Sequence, residues 1–231
     1  NNKIDKIKKV LTLVKKKTDM LVGAVMDDPV IHARTKGVGI LTRDDIINYG
    51  AVGPTARASD VAIDVRRDDP YAAYPLVDWK VITATGCDVF AKAEVRLLEM
   101  YESISIIEQC LEGLKKEKEG VVDVKVKAIP EGYGTGHAEA PRGEVFHFVK
   151  TNGSSFPERH KIRAPSYTNI ATFKKSCVGQ TISDATISLA AVDPCYCCTE
   201  RLAAVYDNQN GTKILGGEEL VNLSRKRTNE L

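Results

Sequence analysis

Residues 3–26 have the sequence KIDKIKKVLTLVKKKTDMLVGAVM, and this stretch decides the fold class. Its apolar side chains recur at alternating steps of three and four, and only Thr18 breaks the series that runs through Ile4, Ile7, Leu11, Val14, Leu21 and Val25. This spacing predicts an amphipathic helix that needs a helical partner. The partner is a second stripe at about 90–119, which Gly120 is expected to end. We therefore predict two antiparallel helices that begin a bundle.

The rest of the chain shows shorter patterns. Residues 48–80 are rich in Gly, Pro and charged side chains, which predicts a long, mostly irregular loop of the kind that is usually functional or disordered. Between about 121 and 163 the apolar period falls to two, in 122–126, 145–149 and 160–163, which predicts a small antiparallel sheet of three strands. Residues 180–191 return to helical spacing before Pro194. The expected fold class is mostly α (α+β), a helical bundle with a small antiparallel sheet.

Composition excludes several classes of protein. The chain has 231 residues, of which 43% are hydrophobic and 28% charged, as in an ordinary globular protein. With 33 Lys and Arg against 31 Asp and Glu, the charge gives no general reason to expect a nucleic acid partner. No apolar run approaches the roughly 20 residues that a membrane span needs. We therefore expect neither a nucleic-acid-binding protein nor a chain that itself spans a membrane.

The strongest local signal is the stretch DPCYCCTER at 193–201, in which Cys195 and Cys198 form a CxxC pair. This spacing lets two thiolates converge on one soft metal ion. A redox role of the thioredoxin kind is less favoured, because the pair follows a helix and not a strand. The chain has no second pair to complete four ligands, and Cys87, Cys110 and Cys177 are predicted to be small buried residues. The sequence thus predicts half of a metal site.

Other candidate residues lie near strand ends. The segment Glu139–Glu144 holds Pro141, Arg142 and Gly143, which predicts a turn that aims Arg142 into a cleft. Ser166 is expected at the tip of the strand that ends near Arg163. None of the four histidines, His32, His137, His147 and His160, pairs with another at metal-ligand spacing. They are interpreted as structural or surface residues.

In their order along the chain, these motifs resemble the large subunit of the energy-converting, membrane-associated nickel–iron hydrogenases of the ferredoxin-linked and formate-hydrogenlyase group. That group is related to the 49 kDa-type quinone-site subunit of complex I. The resemblance is to the C-terminal portion of that subunit and covers nearly the whole of this chain as far as Arg201. It is carried by 37–40, 53–59, 64–71, 139–144, 163–166 and 193–201. The last of these motifs separates the hydrogenases from complex I, whose subunits lack the cysteine pair. Two positions depart from the family: Asp60 stands where a glycine is common, and Arg201 stands where many hydrogenases have a histidine beside a structural magnesium, so no magnesium site is expected.

The resemblance implies roles for six residues. Cys195 would be a terminal nickel ligand, and Cys198 would bridge nickel to an iron that carries carbon monoxide and cyanide. Arg142, Pro141 and Asp193 would form the catalytic surroundings of the open side of the metal pair. Ser166 would donate a hydrogen bond to a cyanide ligand. The family's other cysteine pair lies in an N-terminal segment outside these 231 residues, so the isolated chain is expected to hold no nickel–iron centre and to be inactive.

The resemblance also implies an organisation and partners. Residues 1–201 would form the hydrogenase-like domain, and 202–231 a C-terminal extension of the kind that a maturation endopeptidase removes. The expected partners are an iron–sulfur small subunit, membrane subunits that translocate ions and a ferredoxin-type electron donor. The chain would be cytoplasmic, held at the inner face of the membrane by these subunits. Two alternatives stay open: a complex I-type subunit without hydrogenase activity, and a zinc-binding scaffold that uses Cys195, Cys197 and Cys198.

Overall fold

The computed structural model describes residues 2–118, 120–126, 129–199, 205–206 and 213–230. These residues form two compact units, Asn1–Pro194 and Cys195–Leu231. The helices of the first unit are α1 (Asn2–Met26), α2 (Pro29–Thr35), α3 (Arg43–Tyr49), α4 (Gly53–Arg57), α5 (Val65–Asp68), α6 (Val89–Leu114), α7 (Pro165–Ala171), α8 (Phe173–Cys177) and α9 (Ile182–Val192). The expected mostly helical architecture with a small sheet is confirmed.

The two long helices α1 and α6 pack against each other in antiparallel orientation. Lys8, near the start of α1, forms an ion pair with Glu112, near the end of α6. Toward the opposite end, the hydroxyl of Tyr101 donates a hydrogen bond to Asp19 at 2.9 Å. The prediction that α6 continues to about residue 119 is wrong, because the helix ends at Leu114.

The interpretation of 48–80 as a mostly irregular loop is also wrong in part. It holds α4, α5 and a 3-10 turn at Tyr74–Leu76, and every residue from 53 to 59 is buried. Helices of four to seven residues are shorter than the window in which a helical period can be read. Asp60 adopts a φ of 57°, a left-handed conformation that aspartate tolerates better than most residues, so the departure from glycine keeps the local turn.

The sheet consists of β1 (Glu131–Ala140), β2 (Gly143–Asn152) and β3 (Arg159–Arg163), antiparallel and in that order. The strands predicted at 145–149 and 160–163 are confirmed within β2 and β3. The strand predicted at 122–126 is wrong, since these residues form no strand and Val122 is fully exposed. The true first strand, β1, has glycine at every second position from 132 to 136, so it carries almost no strand signal. Ala140 pairs with Gly143, which confirms the tight turn at Pro141 and Arg142.

The helix predicted at 180–191 is confirmed as α9, which starts with a capping box between Thr181 and Asp184. It ends at Val192, and its C-cap residue Asp193 has a left-handed φ of 56°. The expectation for Ser166 needs correction, because this residue lies in the first turn of α7 and not at a strand tip. Its helix was missed because α7 has only seven residues and starts at Pro165.

The second unit contains α10 (Tyr196–Thr199), a two-stranded ladder of β4 (Val205–Tyr206) and β5 (Lys213–Leu215), and α11 (Gly217–Asn229). The division of the chain after residue 201 and the removal of 202–231 stay predictions. Arg201 lies outside the described residues. No helix within the described ranges is both long and apolar enough to cross a membrane.

Candidate functional site

The cysteine pair lies at the start of the second unit, where Cys195 directly precedes α10. The carbonyl of Cys195 accepts hydrogen bonds from the N–H groups of Cys198 and Thr199, both at 3.1 Å. A spacing of three residues in a helical turn puts two side chains on one face. The Sγ atoms of Cys195 and Cys198 accordingly lie 2.8 Å apart, while Cys197 is exposed. The structure therefore brings together the two cysteines that the spacing singled out.

This sulfur pair suits half of a soft-metal site. Two thiolates that bind one ion at about 2.3 Å in tetrahedral geometry stand about 3.8 Å apart, so the pair would open by about 1 Å to bind. A change of side-chain rotamer can supply that movement. Among the described residues, no group of three or more His, Cys, Asp or Glu side chains could hold a metal ion. The donor set thus fits two ligands of a larger centre, and it gives no support to a zinc scaffold built on Cys195, Cys197 and Cys198.

Arg142 and Asp193 form a second arrangement, within the first unit. The Nε of Arg142 donates to the backbone carbonyl of Asp193 at 2.9 Å, and its Nη2 donates to Oδ1 at 2.8 Å. Asp193 can offer both oxygens because its left-handed backbone ends α9 at this point. The side chains are 31% and 43% exposed, so water screens the ion pair and it adds little stability. Its effect is to fix the direction of the guanidinium.

The turn that carries Arg142 is held in place by two hydrogen bonds of Asn169 and by close packing against Gly53. Asn169, fully buried on α7, donates through Nδ2 to the carbonyl of Arg142 at 2.9 Å and accepts through Oδ1 from the N–H of Val52 at 2.9 Å. Gly53 packs so closely that a Cβ there would overlap the carbonyl of Arg142 and lie 2.6 Å from the Cα of Gly143. Three segments distant in sequence therefore hold one turn. Sequence reasoning missed Asn169, since an isolated amide has no spacing to read.

Pro141 and Asp193 also line a cleft of about 580 Å³ that runs along the seam of α1 and α6. Its other walls are largely apolar and come from residues such as Val14, Met100 and Ile104. The sequence-based expectation was that the turn aims Arg142 into a cleft. Arg142 is not among the residues that line this cleft, and of the turn only Pro141 does so.

A buried charge cluster, which we call the Arg57 cluster, lies next to this turn and consists of Arg57, Asp64, Glu99 and Glu139. Arg57 is 1% exposed. Its Nη1 donates to Glu139 at 2.9 Å and to Asp64 at 3.2 Å, and its Nε lies 2.7 Å from Oε1 of Glu99. Glu139 also accepts from the N–H of Val65 at 3.3 Å. The cluster joins α4, α5 and α6 to β1, three residues before Arg142.

Arg66 extends the cluster to the surface. It binds Asp64 through Nε at 2.8 Å and Nη2 at 2.6 Å, and its guanidinium carbon lies 4.6 Å from the ring centre of Trp79. Two guanidinium groups therefore face three carboxylates. Burial raises the pKa of both Glu99 and Glu139, and Arg57 opposes that rise.

The remaining sequence expectations have mixed outcomes. Ser166 is buried on α7, on the same helix as Asn169. The prediction that Cys87, Cys110 and Cys177 are buried is wrong, because all three are half-buried. His137 lies between Asp69 and Glu144, and hydrogen bonding to Glu144 and to Asp69 raises its pKa.

Comparison with known proteins gives the family. The family model for the 49 kDa subunit of respiratory-chain NADH dehydrogenase matches residues 1–129 and 120–201. The "carbon monoxide-induced hydrogenase" of Rhodospirillum rubrum is 39% identical over 185 residues, which cover 79% of this chain and 50% of that protein. One of the NADH-quinone oxidoreductase subunits of Clostridium beijerinckii is 38% identical over 173 residues, which cover 74% of this chain and 46% of that protein.

A solved structure supports the same relation. A chain of the "membrane-bound sulfane sulfur reductase (MBS), an archaeal respiratory membrane complex" superposes with a TM-score of 0.79 at 26% identity, over 86% of this chain and 55% of that one. This chain thus spans about half the length of the relatives it matches. It belongs to the family of the 49 kDa subunit of respiratory-chain NADH dehydrogenase, a family of oxidoreductase-complex subunits to which the large subunits of energy-converting hydrogenases are related.

Proposed function

We propose that this chain is the C-terminal portion of the catalytic subunit of an energy-converting nickel–iron hydrogenase complex. The complex would reduce protons to H2, or oxidise H2, and exchange electrons with ferredoxin or a similar low-potential donor. Membrane subunits would couple this reaction to ion translocation. An iron–sulfur small subunit would carry the electrons, and the chain would be held at the cytoplasmic face of the membrane by these partners.

The observation that carries the proposal is the convergence of the Cys195 and Cys198 sulfur atoms at 2.8 Å. Sequence identity alone does not decide the matter, because a hydrogenase and a quinone oxidoreductase subunit are almost equally similar to this chain. The resemblance described above assigns the cysteine pair to hydrogenases and not to complex I. A hydrogenase subunit needs two sulfur atoms close enough to bind one soft metal ion, whereas a complex I-type subunit does not.

In this proposal Cys195 and Cys198 would hold the nickel–iron centre through their thiolates. When bound, the metal pair supplies the site at which hydrogen is split or formed. The described residues provide two cysteines of this donor set and no third ligand, so the isolated chain is expected to lack the centre and to be inactive. The remaining thiolates would come from the rest of the subunit.

Arg142 contributes a positive charge carried on a planar guanidinium, whose N–H donors point in fixed directions. Asp193 holds it through Nε and Nη2, and no hydrogen bond or ion pair of Nη1 is found within the described residues. Nη1 is therefore the atom that we propose acts on hydrogen or on its proton, with Pro141 shaping the adjacent wall. Ser166 is proposed to hold a cyanide ligand by a hydrogen bond, a contact that would fix the iron group in place.

The test is an infrared spectrum of the complete subunit, expressed with its partners in a host that can mature it. We expect bands of metal-bound carbon monoxide and cyanide in the wild type and in Cys197→Ala, and their loss in Cys198→Ala. Cys197→Ala is the matched control because it removes the neighbouring thiol that lies outside the pair. Absence of the bands from a folded, partner-bound wild type would refute the proposal and favour a complex I-type subunit.

A second arm tests Arg142. Arg142→Lys keeps the charge but cannot make the two-point contact with Asp193, so the infrared bands should stay and turnover should fall about 100-fold, as for a misplaced catalytic group. Unchanged turnover would show that the direction of the guanidinium has no role.

Removal of 202–231 is tested by mass spectrometry of the matured subunit, in which an intact Leu231 would exclude cleavage.

A further inference from the structure

Two histidines face each other across β2 and β3. The Nδ1 of His147 lies 2.9 Å from the Nε2 of His160, and the ring centres are 5.2 Å apart with planes inclined by 33°. In the strand register His147 is opposite Ile162 and His160 is opposite Val149, so the two are diagonal neighbours on one face of the sheet. Nothing in their sequence spacing indicates this contact, which the β2–β3 connection creates.

The hydrogen bond between His147 and His160 can be replaced by another interaction of the two rings. Of two neutral imidazoles, one nitrogen of the pair can donate and the other must accept, so a single proton is shared. Within the described residues, no other hydrogen bond of either ring occurs. Each ring therefore directs one nitrogen into the same small volume and has nothing else that fixes its orientation.

That volume is open. Opposite His147 on β1 is Gly136, and a Cβ built at Gly136 or at Gly134 would meet no atom within 4 Å. His160 itself is exposed. An ion held between the two rings would thus have room for water in its other coordination positions.

We propose that His147 and His160 form a two-imidazole site for a divalent transition metal ion, copper(II) or nickel(II). Imidazole nitrogens bind such ions at about 2.0–2.1 Å, and two of them at a right angle stand about 2.9 Å apart, against about 3.4 Å in a tetrahedral zinc site. The 2.9 Å separation is that of the hydrogen bond between the rings, and it equals the spacing of the right-angled case, so the two nitrogens need not move apart to share an ion. Adjacent positions at right angles belong to the square-planar and octahedral geometries that copper(II) and nickel(II) adopt.

Binding needs a modest rearrangement. The shared proton moves to the far nitrogen, Nε2 of His147 or Nδ1 of His160, so that two neutral rings present two lone pairs. Both rings then rotate about χ2, which is a broad torsion in histidine, until the lone pairs meet at the ion. Charge balance requires no proton release, and no oxidant or reductant takes part.

This site does not rest on the proposed function, because it uses nitrogen donors far in sequence from the cysteine pair. It does affect how nickel measurements are interpreted. Nickel bound to the isolated chain through two imidazoles would be present without any carbon monoxide or cyanide band. The infrared test and the histidine test can therefore fail independently.

The experiment uses the full 231-residue chain with all six cysteines changed to serine, so that thiolates neither bind nor reduce the probe. Copper(II) chloride and nickel(II) chloride are titrated by calorimetry, and copper(II) is also followed by electron paramagnetic resonance. We expect one ion per chain and hyperfine coupling to two nitrogens. His147→Gln and His160→Gln should each weaken binding about 100-fold, the gain that a second linked donor gives. His137→Gln, which removes a histidine on the opposite face of the sheet, should change nothing.

Unchanged affinity in either of the first two variants, or coupling to one nitrogen, would overturn the site. A measurement on unsubstituted histidines guards against misfolded variants. Substoichiometric nickel(II) should broaden the ring proton resonances of His147 and His160 before that of His137. Broadening of His137 first, or of all histidines equally, would show that the ion binds elsewhere.

Discussion

Replacing Gly53 by alanine should destabilise the first unit more than the same change at Gly50, although both glycines have a positive φ of nearly the same value. Their φ angles are 65° and 63°. A Cβ at Gly53 would overlap the carbonyl of Arg142, whereas a Cβ at Gly50 would meet no atom within 4 Å. The pair separates the cost of the left-handed backbone from the cost of displacing the turn that carries Arg142.

The magnitudes follow from these contacts. A residue with a Cβ in the left-handed region costs about 1–2 kcal/mol, and this cost applies at both positions. The reduced entropy of the unfolded chain, which favours alanine by about 0.4–1 kcal/mol, also applies at both and cancels in the comparison. Overlap with packed backbone adds about 1–3 kcal/mol at Gly53 alone. At a slope of about 2 kcal/mol per molar urea, that difference corresponds to about 0.5–1.5 M in the unfolding midpoint.

The assay is urea unfolding of the two variants and the wild type, followed by far-ultraviolet circular dichroism. Equal midpoints for Gly53→Ala and Gly50→Ala would refute the reasoning, because they would show that the turn moves away from a new Cβ at no cost. In the matured complex, Gly53→Ala should also lower turnover, since the turn positions Arg142, whereas Gly50→Ala should not.

Three further predictions concern the clamp and the titrating groups. Asn169→Ala should cost about 1–3 kcal/mol in urea unfolding, because two part-buried hydrogen bonds, from the N–H of Val52 and to the carbonyl of Arg142, are lost; a cost below about 0.5 kcal/mol would show that the amide is not what holds the turn. Burial raises the pKa of Glu139 above its ordinary value of 4.5, so its contribution to stability is present below that pH and is lost as the pH rises through the raised pKa. Wild type should therefore lose stability relative to Glu139→Gln as the pH rises above about 4.5 in the same assay, and a relative gain would contradict the burial argument. Glu144→Gln should lower the pKa of His137 toward 6.5 in an NMR titration, because the hydrogen bond to Glu144 is the main cause of its rise; an unchanged titration would assign that rise to another group.

Long elements were predictable because their periods repeat. The stripe that begins at Ile4 and the one that runs through Ile104 each extend over several turns, and α1, α6 and α9 lie where they were expected. The cysteine pair was also predictable, because three residues in a helical turn bring two side chains to one face whatever the rest of the fold does. In these cases the spacing of residues along the chain is enough to predict the structure.

The other contacts depend on tertiary structure that spacing does not encode. Asn169 clamps Arg142 across 27 residues, and Arg57 pairs with Glu139 across 82. The strand assigned to 122–126 failed for the complementary reason: its valines alternate correctly, but no neighbouring strand among the described residues covers them, and alternation without a partner does not make a sheet. Pairing across the chain, and not local propensity, decided each of these positions.

The stacking of Arg66 on Trp79 has a practical consequence. Trp79 is the single tryptophan of the chain, so its emission comes from one known place. The guanidinium beside that ring is tied to Asp64, and Asp64 is tied in turn to Arg57. Intrinsic fluorescence is therefore a built-in optical reporter: any event that loosens the buried charges lets the cation leave the indole, and a fluorimeter can record it without a label on the protein.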